Sequence, residues 1–190
     1  MIGKIVRAVL GGLFLAGFVH IVAVLAIPVL AERDAVARVA AALAVDEDGA
    51  PAPGDGFRAI PADGSVLPDL DPAFVHVVCP FTAADGTVDV AGAMPDTIWS
   101  LAVVARGAGI VAAYEHTAAV DGRIEVLVGS PEAVETIRLA RAAGGTDTAN
   151  YAAVDTDRGF VLLRAFADAD HPPEALRAAL TAVSCRPLDE

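Results

Sequence analysis

The sequence predicts an α+β protein: one N-terminal transmembrane helix, then a small extracytoplasmic domain with a mainly antiparallel sheet and two helices. Three observations point there. A long apolar run stands at the N-terminus, short Val- and Phe-rich segments are separated by Asp-Gly and Gly-Ala-Gly breaks, and two later segments open with proline at helical spacing. The 190 residues fit one domain by length, and 55% apolar against 20% charged residues is too hydrophobic for a disordered chain. With 5% aromatics, the core must rest on Val, Leu, Ala and a few Phe.

The run Ile5–Leu30 exceeds the roughly 20 residues that a helix needs to cross hydrocarbon. Lys4 and Arg7 stand at its start, and Glu32, Arg33 and Asp34 follow it. This bias toward positive charge before the span puts the N-terminus in the cytoplasm and the rest of the chain outside. The bilayer, through residues 5–30, is then the first partner. A cleaved signal peptide is the rival reading, because Pro28 precedes the small-residue site Val29-Leu30-Ala31. The run is longer than the about 7 to 15 residues of a signal core, which favours a retained anchor. Within it, Gly12, Ala16 and Gly17 form a small-residue face beside the ionisable His20, a combination suited to pairing with a neighbouring helix.

Residues 1–31 are therefore assigned to the anchor. Residues 32–71 form a juxtamembrane helix, with Val36, Val39, Ala40 and Leu43 on one stripe, followed by a Pro/Gly/Asp-rich linker or draped loop, and residues 72–190 form the domain. In that domain Ala73–Phe81 and Thr87–Ala91, joined at Asp85-Gly86, read as a first hairpin. Trp99–Ala105 and Ile110–Tyr114 flank Gly107-Ala108-Gly109 as a second. Asp121-Gly122 opens the strand Arg123–Val128. Ser130 as N-cap and Pro131 then start a helix that Gly144 and Gly145 end. Tyr151–Val154 and Phe160–Phe166 read as a third hairpin, and Pro172-Pro173 open a last helix running to about Ser184.

Net charge is −12, and residues 1–33 carry Lys4, Arg7 and Arg33 against Glu32, which leaves −14 on residues 34–190. An acidic surface repels phosphate backbones and no Lys/Arg cluster with interleaved aromatics exists, so nucleic acid is not an expected ligand. The two cysteines, Cys79 and Cys185, both fall in the part assigned to an oxidising compartment, which points to a disulfide closing about 100 residues. Buried free thiols or a metal are the alternatives. No metal-ligand spacing supports the latter, and His76 lies on the opposite strand face from Cys79.

No nucleophile elbow, P-loop, dinucleotide fingerprint or zincin motif is present, so no cofactor is expected and no catalytic residue stands out. Asp155 and Asp157 are better read as turn residues than as half a calcium loop. Glu115-His116 with Asp121 is an acid/base grouping on paper, and Trp99 is a possible ligand or partner anchor. A solvated loop and a core position, respectively, are the stronger expectations. Trp99, Tyr114, Glu115 and His116 are the candidate contact residues.

The order of features resembles the small membrane-anchored members of the Domain of Unknown Function 1254 family of bacteria. The resemblance rests on His20 with Pro28 and Glu32-Arg33-Asp34, Leu70-Asp71-Pro72-Ala73-Phe74, Cys79 and Trp99-Ser100-Leu101. It continues through Asp121-Gly122-Arg123, Gly159-Phe160-Val161 with Arg164-Ala165, and Cys185. In such proteins a Tyr-Asp pair often follows the Trp-Ser strand and an Asn-Asp pair the next. Here Val104-Ala105 and Tyr114-Glu115-His116 stand in those places. The resemblance implies an envelope protein of uncharacterised activity, and the apolar run with its charge bias makes the expected location the bacterial inner membrane, single-pass. The second domain fused in longer relatives is not in this sequence, which implies a separate partner. The expectation is a non-enzymatic interaction or assembly module that binds another envelope protein. A saccharide- or lipid-binding module or enzyme is the alternative.

Overall fold

The structure, a computed structural model, describes residues 2–43, 56–82, 86–145 and 147–188. Helix α1 (Ile2–Leu43) takes in both the apolar run and the predicted juxtamembrane helix, so the expected break between them is absent. Proline costs a helix one hydrogen bond, and here Ala- and Leu-rich segments on either side carry the helix through position 28. Its Ile2–Ile27 portion is long and apolar enough to cross a membrane and buries nothing against the domain. The C-terminal portion behaves differently: Val36, Val39 and Leu43 are buried while Ala40 faces solvent.

The domain holds two sheets. The first has strand order β1 (Arg58–Ile60), β2 (Phe74–Thr82), β8 (Arg158–Phe166), β4 (Trp99–Ala105) and β5 (Gly109–Glu115), all antiparallel. The second has order β7 (Asn150–Ala153), β6 (Arg123–Gly129), β3 (Val88–Ala93) and β9 (Ser184–Pro187), antiparallel except for the parallel pair β6 and β7. Helix α2 (Pro131–Ala143) packs on β6 and β7, and α3 (Pro173–Thr181) packs on β2 and β8. The architecture is α+β with mainly antiparallel sheets, as the sequence predicts.

The β4–β5 hairpin and the Ser130 cap, whose Oγ accepts from Ala133 N at 3.2 Å, form as expected. Two other expected hairpins do not. Strands β2 and β3 lie in different sheets, because β2 is paired on both sides by β1 and β8 while β3 is held between β6 and β9. Asp85 of the expected turn lies outside the described residues. Strand β7 likewise leaves β8 and pairs in parallel with β6, since the intervening α2 carries the chain back to start again in the same direction. The last helix ends at Thr181, and Ser184–Pro187 become an edge strand instead. Of the predicted linker, residues 46–55 lie outside the described residues, and residues 56–71 contribute β1 and the buried Val66 and Leu67.

Period-2 alternation builds the core between the sheets. Val77, Leu101, Val103 and Leu163 from one sheet meet Val90, Ile124 and Val126 from the other, with Leu176 and Leu180 of α3 in the same cluster. A disulfide between Cys79 of β2 and Cys185 of β9 spans this core, with a Cα–Cα distance of 6.6 Å. At the β2–β8 contact, a Cβ at Gly159 would strike the Val104 carbonyl oxygen and the Phe81 ring, so this position accepts only glycine. On the outer face of the five-stranded sheet, Val36, Val39 and Leu43 of α1 pack with Ile60, Val66, Leu67, Val78 and Phe160. Arg58 Nη1 donates to the terminal Leu43 carbonyl at 3.1 Å and satisfies one of the acceptors that a helix end leaves open.

Candidate functional site

Of the four candidate contact residues, none forms a cleft. Trp99 is 4% exposed within the core between the sheets, so it is a core residue and not a surface anchor. Tyr114 is half-buried and its hydroxyl donates to the Tyr151 carbonyl at 2.8 Å, tying β5 to β7 across the two sheets. Burial raises its phenol above the ordinary range. Glu115 ends β5 and His116 starts a short 3-10 turn (His116–Ala118). Both are exposed, and Glu115 accepts from Thr117 Oγ1 at 3.5 Å. On α1, Gly12, Ala16, Gly17 and His20 are all exposed, and nothing approaches within 4 Å of a Cβ placed at Gly12 or Gly17. Among the described residues no group of three His, Cys, Asp or Glu side chains is placed to hold a metal ion.

The strand register brings together a different set. Ile60, His76, Arg164, Ser100 and Glu115 are successive cross-strand partners, a row that crosses all five strands on the outer face. Directly paired side chains share one face, so Glu115 does belong to a polar row, although with Arg164 and Ser100 rather than with His116. Arg164 Nε donates to Ser100 Oγ at 2.7 Å, and its guanidinium lies 5.2 Å from the centre of the Phe74 ring.

At the β1 end of this row His76 is 2% exposed, and its Nδ1 has no hydrogen-bond partner among the described residues. Burial, and then the positive charge of Arg164, lowers its pKa from the ordinary imidazole value. It lines a groove of about 180 Å³ whose walls are Ile60, Pro61, Pro72, Phe74, Pro173 and, as the charged member, Arg177. Sequence reasoning took up His76 only as a metal ligand and set it aside. The available signal was a lone imidazole in the Val-rich stretch Phe74-Val75-His76-Val77-Val78, where alternation puts it on the face that is not the core.

A second, larger groove of about 630 Å³ lies over β3 and β9, lined by Asp89, Arg123, Ser184 and Arg186 among small apolar residues. Burial, with Glu125 nearby, raises the Asp89 carboxyl above the usual range. Beside it, Arg141 of α2 is paired with Glu125 at 2.6 Å.

No family model matches the chain, and no curated protein matches it. The fold is similar to the solved structure of the VPA0106 protein from Vibrio parahaemolyticus, with a TM-score of 0.52 and 16% identity over 84% of this chain. The chain spans 38% of the length of that protein. A putative uncharacterized protein from Burkholderia cenocepacia aligns with a TM-score of 0.42 and 16% identity, over 78% of this chain and 46% of its own.

Proposed function

We propose that this chain is a single-pass protein of the bacterial inner membrane whose extracytoplasmic domain is a non-catalytic interaction module for another envelope protein. One observation carries the reading. The helix that supplies the apolar span also supplies Val36, Val39 and Leu43 to the domain's outer cluster, so the domain is packed directly onto its own tether. A domain held this way sits close to the bilayer surface, where a partner would meet it in a fixed orientation. Lys4 and Arg7 at the start of the span favour a cytoplasmic N-terminus, and a disulfide between Cys79 and Cys185 suits an oxidising compartment.

Strand β5 is where a partner's extended segment would add. Among the described residues it is a terminal strand of the five-stranded sheet, opposite β1, and exposes Ile110 at 67% and Val111 at 37%. The test is mild crosslinking in native membranes with a photoreactive residue at position 110, followed by detergent purification and mass spectrometry. One reproducible, near-stoichiometric envelope protein is the expected result, and recovery of the chain alone would overturn the reading.

A further inference from the structure

We propose that the groove between the end of β1, the start of β2 and α3 binds the carboxylate of a small monoanion with a short apolar body. Three independent features converge on it. His76 is almost wholly buried at the groove; the Phe74 backbone lies near enough to favour its charged form, yet Nδ1 meets no partner in hydrogen-bond geometry among the described residues, and such a polar atom inside a protein is costly unless a ligand or water completes it. Arg177 lines the same groove from α3 without an acidic partner among the described residues, in a chain whose net charge is −12. Helix α3 itself begins at the groove. Pro172 stands at its N-cap with no side-chain cap hydrogen bond, so first-turn N–H groups remain open at the positive end of the helix, where Glu174 answers part of the dipole.

Of the other charges nearby, Arg164 is the direct cross-strand partner of His76, and Asp71, near enough to favour the charged imidazole, is held in its own turn by accepting from Ala73 N at 2.9 Å. The walls decide the ligand class. Pro61, Pro72, Pro173, Phe74 and Ile60 offer apolar surface, and one lining guanidinium with one imidazole suits a single negative charge better than a phosphate dianion. A groove of about 180 Å³ corresponds to the volume of roughly six waters, enough for a carboxylate with a chain of a few methylenes. Arg177 then pairs with the carboxylate, and His76 donates its Nδ1–H to one of the carboxylate oxygens.

The experiment uses the full-length chain in detergent, and its outcome is separate from that of the crosslinking, since it needs no partner protein. Acetate, hexanoate and inorganic phosphate are titrated calorimetrically into the wild type and Arg177→Gln, with histidine-labelled spectra followed in parallel. Each buried methylene adds about fourfold in affinity, so hexanoate is expected to bind at least tenfold tighter than acetate and to shift the His76 signal alone. Arg177 is exposed, so its substitution leaves the thermal transition in place while weakening hexanoate about tenfold or more. Phosphate binding as tightly as hexanoate, an unchanged affinity in Arg177→Gln, or no binding at all would each overturn the proposal.

Discussion

On the inner face of the five-stranded sheet Val77, Leu101, Val103, Val161 and Leu163 are all fully buried against the second sheet. On the outer face the intervening positions change character along the strands. Val78 and Phe160 lie under the α1 stub, whereas Arg164 and Ser100 are left in a polar row that ends at the buried His76. The inner face was made by strands packing on strands and is closed by a covalent staple. The outer face depends on three-residue β1 and on α1, whose Ile2–Ile27 portion is long and apolar enough to cross a membrane, so its stability is coupled to how that helix sits. The difference teaches that the two sides of one sheet are built differently, one closed by strand packing and a disulfide and the other by a helix stub and a polar row.

The largest effect tests the staple. Replacing Cys79 and Cys185 together by serine frees a loop with a sequence separation of 106, and should cost on the order of 4 to 5 kcal/mol in urea unfolding. Labelling the denatured, unreduced wild type should find no reactive thiol, and two would remove the premise. Gly159→Ala comes next: the Val104 carbonyl and Phe81 ring must move aside, at a cost of about 3 kcal/mol in the same assay, and an unchanged midpoint would mean the two strands are less tightly packed than described.

On the outer face, Val39→Ala removes a side chain that is 1% exposed, for a loss of about 2 kcal/mol. Hydrogen exchange should record that loss in residues 36–43 while leaving β4 and β8 protected. Equal loosening of both regions would abolish the distinction between the faces.

The smallest expected effect is the pH response of His76. Its folded-state pKa is lowered, so acidification below about 6.5 protonates the unfolded chain before the folded one and draws the equilibrium toward unfolding. The stability present above that value should decline as pH falls toward the folded-state pKa. His76→Asn should flatten this slope relative to wild type, and identical pH profiles would show that the imidazole is not held in the environment described.

Several features encoded locally in the sequence were read correctly, although Ala40 left the predicted stripe and the last helix stopped at Thr181. The Val36–Val39–Leu43 stripe, the Gly-Ala-Gly hairpin and the Ser130-Pro131 helix start each depend on residues within a turn or two of one another. Trp99 at the head of an apolar strand went to the core for the same reason. The cysteine pair needed only a compartment and a count. The misassigned strands failed in a common way. Turn residues report that a chain reverses, not which sheet receives the next strand, and β3 and β7 were claimed by β6, β9 and the return path of α2. The short strands β1 and β9, of three and four residues, carry too little alternation to be seen without their partners.

The sequence by itself determined the apolar helix, the α+β class, the acidic charge and the cysteines available for pairing, because hydrophobic periodicity, composition and residue count act over short distances or over the whole chain at once. Only the tertiary structure decided which strands share a sheet and that the C-terminal end of α1 packs on the domain. It also decided that His76, Arg164 and Arg177 come together. Their chemistry depends on contacts between segments separated by about a hundred residues, and no local pattern encodes such a neighbourhood.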